Sequence, residues 1–133
     1  MIADSRSPIT PIDVNRLTDA IVLHKQWKQR LQGALMIGRS AYTVAEVSDS
    51  ENCELGVWLN ALPVNIKATD QWKLVKKIHR EFHECAALVL DLTLKGHQSE
   101  AAVLLEPGGL FSESEVNLTN ALMQWKNRLT GGF

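Results

Sequence analysis

The chain has 133 residues, 45% of them apolar and 22% charged, the composition of one folded domain with a single core and not of a disordered segment. A net charge of −1 gives no basic field to gather nucleic acid or an anionic membrane, so neither is expected as a partner. The first residues lack the basic and apolar regions of a secretory signal, and the longest apolar run, Cys85 to Leu90, is far too short to cross a bilayer. A cytoplasmic location is therefore expected, where Cys53 and Cys85 are better read as a metal ligand or a buried thiol than as a disulfide.

Residues 1–10 read as a flexible lead and residues 11–133 as a single domain. Thr10 is placed to cap a first helix, with Pro11 at its first position and Asp13 in its first turn. From there Val14, Leu17, Ile21, His24, Lys28, Leu31 and Leu35 repeat at three- and four-residue spacing and define one helical face. Gly38 is a plausible stop. Residues 41–48 show no helical period and read as a connection. The segment from Glu51 to Leu62 follows a cap candidate at Asp49 or Ser50 and predicts one or two helical turns ended by Pro63. Thr69 or Asp70 caps a second long helix that runs to Gly96. Its inward face carries Trp72, Val75, His79, Phe82, His83, Ala86, Val89, Leu90 and Thr93. A further helical stretch covers His97 to Leu105, and Pro107-Gly108-Gly109 interrupts it. Ser112 and Glu115 have capping-box spacing and open a last helix through Val116, Leu122, Trp125 and Leu129. Period-two alternation is absent and the loops are short. The pattern predicts an all-α fold: an antiparallel four-helix bundle with a small extra helix.

Four residues carry chemistry. His79 and His83 lie four apart on one helix, so their imidazoles project from the same face one turn apart. On its own this spacing is a weak signal, and two satisfied histidines, one in the core and one at its edge, are the commoner reason for it. His24 falls in the apolar stripe of another helix, where a lone imidazole is unusual. Cys53 opens the short helix, where the helix dipole favours a thiolate. Three imidazoles and one thiolate from three segments form a mixed nitrogen–sulfur set that suits tetrahedral zinc. A zincin protease needs Glu directly after the first histidine. Here Glu81 follows His79 by two residues and points away. Di-iron bundles need Glu three residues before His, and none of the four histidines has it.

At these residues the sequence resembles the chemoreceptor zinc-binding domain family. The resemblance is carried by His24 followed by Trp27, by the run Cys53-Glu54-Leu55-Gly56-Val57-Trp58-Leu59, and by His79-Arg80-Glu81-Phe82-His83. It spans about residues 12 to 130. It implies a four-helix bundle whose small helix bears the cysteine, with zinc held by His24, Cys53, His79 and His83. It also implies a regulatory, non-enzymatic role in bacterial signal transduction and chemotaxis, often as a homodimer beside chemoreceptors or diguanylate cyclases. Members report zinc or oxidants such as hypochlorous acid, which makes Cys53 the redox-reactive residue. With no second domain in this chain, the output is expected to pass to a partner protein in trans, unless the chain is a fragment or a free-standing member of the family.

Around the site, Gly56 is expected to allow close approach of a neighbouring helix, Trp58 to pack the short helix down, and Trp27 and Phe82 to pack nearby. Trp27, Trp72 and Trp125 read as core or interface aromatics. Cys85 reads as an inert core thiol, His97 as a helix-end residue, and Lys76-Lys77 as part of a solvated face. Two alternatives remain at this level: a purely structural zinc bundle, and a zinc hydrolase. The second is disfavoured because four protein ligands leave no position for water.

Overall fold

The computed structural model describes residues 12–131, and those residues fold into seven α-helices with no strand among them. Three are long: α1 (Val14–Ile37), α5 (Asp70–Leu94) and α7 (Leu110–Leu129). Four are short: α2 (Val44–Ser48), α3 (Glu54–Ala61), α4 (Val64–Lys67) and α6 (Gln98–Leu105). The expected all-α helical bundle is what forms.

Each long helix has a physical start. Asp13 caps α1 with its carboxylate accepting the Asn15 amide at 2.9 Å, so Asp13 stands before the first turn and not within it. The proposed cap Thr10, Pro11 and the lead at 1–10 lie outside the described residues. Thr69 caps α5, accepting from the Trp72 amide at 3.2 Å. Gly38 and Gly96 end α1 and α5 at φ of 72° and 84°, backbone that L side chains resist.

The last helix differs from expectation. It opens at Leu110 with Gly109 as its cap residue, and Ser112 lies inside it, buried, donating its hydroxyl to the Leu105 carbonyl at 2.8 Å. Ser112 thus ties α7 to the end of α6 and makes no capping box with Glu115. Gly109 is required there because a Cβ would run into the Val103 and Leu104 carbonyls.

The connection between α1 and α5 is also more structured than its sequence suggested. Thr43 and Glu46 form a reciprocal capping box that opens α2, with Thr43 Oγ1 accepting the Glu46 amide and Glu46 Oε1 accepting the Thr43 amide. Asp49 and Ser50 do not cap the next helix. Asp49 instead accepts the amides of Glu51 and Asn52 in the turn that follows α2, and Cys53 is itself the N-cap residue of α3.

Long-range hydrogen bonds fix the topology. Gln98 donates to the Leu35 carbonyl at 2.9 Å, which sets α6 against the end of α1 and antiparallel to it. Gln71 reaches Ala121, while Phe82 packs on Phe111, so α7 runs antiparallel to α5. His24 faces His79 and His83, and Leu31 and Ala34 face Leu90, so α1 and α5 run in the same direction. Residues 38–69 form the crossover that makes this possible, where a short loop would have forced antiparallel neighbours.

The core joins Leu17, Leu31, Val75, Phe82, Val89, Leu90, Phe111, Leu118, Leu122 and Trp125. On α1 the buried stripe turns toward Ala20 and Ala34, leaving Val14, Ile21, Lys28 and Leu35 half-buried. On α7 the buried side is Leu118, Ala121, Leu122 and Trp125, while Val116 and Leu129 are exposed.

Candidate metal centre

All four sequence-predicted donors come together. One ligand atom from each of His24, Cys53, His79 and His83 lies within 4.8 Å of the others. His24 is presented from the middle of α1, His79 and His83 from successive turns of α5, and Cys53 from the start of α3. The three histidines are 2–3% exposed, whereas Cys53 is half-buried.

Two of the imidazoles are oriented by backbone carbonyls. His24 Nδ1 lies 2.7 Å from the Ala20 oxygen and His83 Nδ1 lies 2.9 Å from the Val47 oxygen. A carbonyl only accepts, so both Nδ1 atoms carry hydrogen and donate, leaving both Nε2 lone pairs bare and aimed inward. His79 Nε2 stands between them, 3.1 Å from His24 Nε2 and 3.0 Å from His83 Nε2. Cys53 Sγ is 3.5 Å from His24 Nε2. These four atoms have room for two protons at most, one on sulfur and one on His79 Nε2. A divalent cation would take the place of both.

The distances suit such a cation. Tetrahedral zinc, with bonds of about 2.0–2.1 Å to nitrogen and about 2.3 Å to sulfur, places nitrogens about 3.3 Å apart and nitrogen about 3.6 Å from sulfur. Three of the six separations, 3.0, 3.1 and 3.5 Å, are close to these edges, and the others are no longer than 4.8 Å. The donor set fits the metal in type and in number, and three of its spacings match.

Electrostatics point the same way. Burial lowers the pKa of His24 to about 4, although the Ala20 carbonyl opposes it. Burial lowers that of His79 to about 2, helped by the neighbouring His83, and burial lowers His83 as well. The imidazoles are therefore neutral at physiological pH and free to donate to a metal. Cys53 corrects an expectation: burial raises its pKa, outweighing the Leu55 and Gly56 amides that pull it down. The helix start alone does not lower the pKa of the thiol here.

Phe82 is fully buried and packs edge-on against His24 and His83, with ring centroids 5.1 and 5.6 Å away. Gly56 does allow a close approach, but of the loop and not of a neighbouring helix: a Cβ there would overlap the Ser50 carbonyl. Trp58 lies against Trp125 at 6.0 Å, holding α3 to α7. Trp27 is half-buried against the edge of the core, with its ring 6.3 Å from that of His83, and lines a cleft. Lys76 leaves its solvated face to donate to Glu51 at 3.1 Å and to Asn60, pinning the loop before Cys53 to α5. Glu81 is exposed and points away from the cluster. Cys85 is half-buried on another face, and His97 is exposed at the start of α6, paired with Glu100 at 3.2 Å. Val47, whose carbonyl orients His83, escaped the sequence reading. The Thr43-x-x-Glu46 spacing was the available signal for its helix.

An all-helical bundle that converges three imidazoles and a thiol on one buried point defines a metal-binding domain. The model of the chemoreceptor zinc-binding domain matches residues 24–90, half of the chain and a span that includes all four donors. The chain belongs to that family, whose metal is zinc. Neither the curated proteins nor the solved structures give a match.

Proposed function

We propose that the chain is a zinc-dependent sensory domain in which His24, Cys53, His79 and His83 hold one zinc ion and Cys53 reports zinc or an oxidant such as hypochlorous acid to a signalling partner. The observation that carries this reading is the convergence of four donor atoms within 4.8 Å around a point where at least two lone pairs are bare. Bound zinc supplies the positive charge that keeps the Cys53 sulfur deprotonated at neutral pH. The residues do the rest. The Ala20 and Val47 carbonyls orient His24 and His83, Phe82 excludes water, and the Lys76–Glu51 contact holds the loop that leads to Cys53.

In the redox branch of this reading, the thiolate attacks hypochlorous acid. The sulfur loses two electrons and keeps the hydroxyl as a sulfenic acid, and chlorine takes the electrons and departs as chloride. A sulfenic acid is a weaker donor, so α3 loses one of its anchors and loosens against α5. In this reading the role is regulatory and not enzymatic, which is supported by the family and by four protein donors that would leave no position for water. Residues 11–133 are read as one domain, located in the cytoplasm and acting as a homodimer on a chemoreceptor or diguanylate cyclase in trans. Membership of the family supports the signalling role. No helix among the described residues is long and apolar enough to cross a membrane.

The test is elemental analysis of protein purified without chelator, for the wild type beside Cys53→Ala and His83→Ala. One zinc per chain in the wild type and less in both variants is expected. A folded, metal-free wild type would refute the assignment and return the histidines to the core.

A further inference from the structure

The donor cluster has a mouth. A cleft of about 410 Å³ opens beside it, and of the four donors Cys53 and His83 line it. Trp27, Tyr42 and Arg30 form one wall. The indole and phenol rings lie 5.9 Å apart, and the Arg30 guanidinium sits 5.0 Å over the indole. Glu46, Asp49 and Glu54 also line the cleft. Three carboxylates thus oppose one guanidinium around a passage with low-dielectric aromatic walls. Such a passage concentrates cations and depletes anions relative to bulk, by factors from about 10 upward when field lines are focused.

We infer that this cleft is the entrance to Cys53 and that Glu46, Asp49 and Glu54 make it selective, admitting neutral and cationic species and holding back anions. The inference rests on reading Cys53 as the reactive donor, and it adds what may approach it. Neutral hypochlorous acid passes where hypochlorite is held back, and a free divalent cation passes where an anionic chelate does not. Two of the three acidic side chains are held by the local structure, and Glu54 projects from the first turn of α3. Glu46 accepts the Thr43 amide and Asp49 accepts the Glu51 and Asn52 amides, all from neutral donors that leave the charge uncompensated. Arg30 provides the opposing sign within the same cleft, which gives the inference two directions in which to be checked.

The probes are iodoacetamide and iodoacetate, which are close in size and differ by one negative charge. In both reactions the thiolate attacks the methylene carbon, a carbon–sulfur bond forms, the carbon–iodine bond breaks and iodide leaves. A Cys85→Ala background leaves one thiol, and intact-mass spectrometry follows its alkylation in the full chain as purified. The iodoacetamide-to-iodoacetate rate ratio at Cys53 is expected to be about tenfold larger in the native protein than in the same protein unfolded in urea. Adding salt to the native protein shrinks that excess.

Glu46→Gln, Asp49→Asn and Glu54→Gln together keep the hydrogen-bond acceptors and should return the ratio to the unfolded value. Arg30→Gln should raise it. Equal ratios in native and unfolded protein, or a native ratio indifferent to these charges, would overturn the inference. Zinc content is read on the same samples. Zinc-loaded protein without charge selectivity would sink the entrance and leave the zinc assignment standing. Selective but metal-free folded protein would do the reverse.

Discussion

Replacing Gly56 with alanine sets two effects of opposite sign against each other. Helix propensity favours alanine by about 1 kcal/mol inside a helix, and Gly56 lies inside α3. Packing opposes it. The new Cβ would overlap the Ser50 carbonyl oxygen and lie 2.9 Å from its carbon and 3.1 Å from Glu51 Cα. Carbon atoms rest at about 3.5–4.0 Å and the overlap with the oxygen is larger still, so the loop and helix must part by about 1 Å or more. Those atoms are backbone and no rotamer change relieves them. Overpacking of this kind costs about 1–3 kcal/mol, which outweighs the propensity gain. The displacement also exceeds the tolerance of about 0.5 Å within which a metal donor must be held. Because Cys53 begins the same helix, its sulfur moves with it.

Gly56→Ala is therefore expected to lower stability in urea by about 1 kcal/mol net and to weaken zinc binding about tenfold or more in competition with a chromophoric chelator. The far-ultraviolet circular dichroism should keep its helical form. A variant that is more stable than wild type, with unchanged zinc affinity, would show that propensity decides at this position and that the close contact with Ser50 is not a constraint.

Two further outcomes follow from the buried groups. Phe82 is fully buried among His24, His83 and Phe111, so Phe82→Ala should cost about 3–5 kcal/mol in urea denaturation of the chain; a loss below about 1 kcal/mol would mean that the histidine cluster does not depend on this ring. In zinc-free protein, His24 and His79 have folded pKa values of about 4 and about 2, below the value of about 6.5 for an unfolded chain. The unfolded state takes up protons first, so stability is full above about pH 6.5. It falls as the pH drops toward 4, by about 1.4 kcal/mol per pH unit for each imidazole, and continues to fall for His79 below that. Thermal melting of chelator-treated protein between pH 7.5 and 4.5 would check the sign, and a melting temperature that rises on acidification would refute it.

The long elements were legible because their signals are periodic and redundant. The spacing of Leu17, His24 and Leu31 and the run from Val75 to Thr93 each repeat the helical period over several turns, so a single misplaced residue changes nothing. The pairing of His79 with His83 follows from the same period. Cys53 was legible as a donor through its residue type and its place at a helix start, but its ionisation was not, because burial is a property of what packs over it. The failures lie at short elements and at the starts of long ones. Helix α2 has too few residues to show a period, and its capping box at Thr43 and Glu46 went unread. The similar spacing of Ser112 and Glu115 misled, because the Leu105 carbonyl lies within reach of the Ser112 hydroxyl and α7 had already begun at Leu110. Nothing in the sequence around Val47 marks its carbonyl as the partner of His83, since that contact joins residues 36 apart in the chain.

The crossover at residues 38–69 divides the donors unequally. His24 and His79 stand on helices of the bundle frame, whereas Cys53, and the Val47 carbonyl that fixes His83, arrive together on one contiguous stretch. Under the proposed ligation the ion is a clasp between the frame and this stretch. How tightly the metal binds and how firmly the crossover docks are then one quantity seen from two ends. Each tenfold change in zinc affinity that originates in the crossover corresponds to about 1.4 kcal/mol of its docking free energy. Substitutions confined to residues 38–69 can therefore tune the zinc concentration at which the domain responds while the frame of long helices stays as it is.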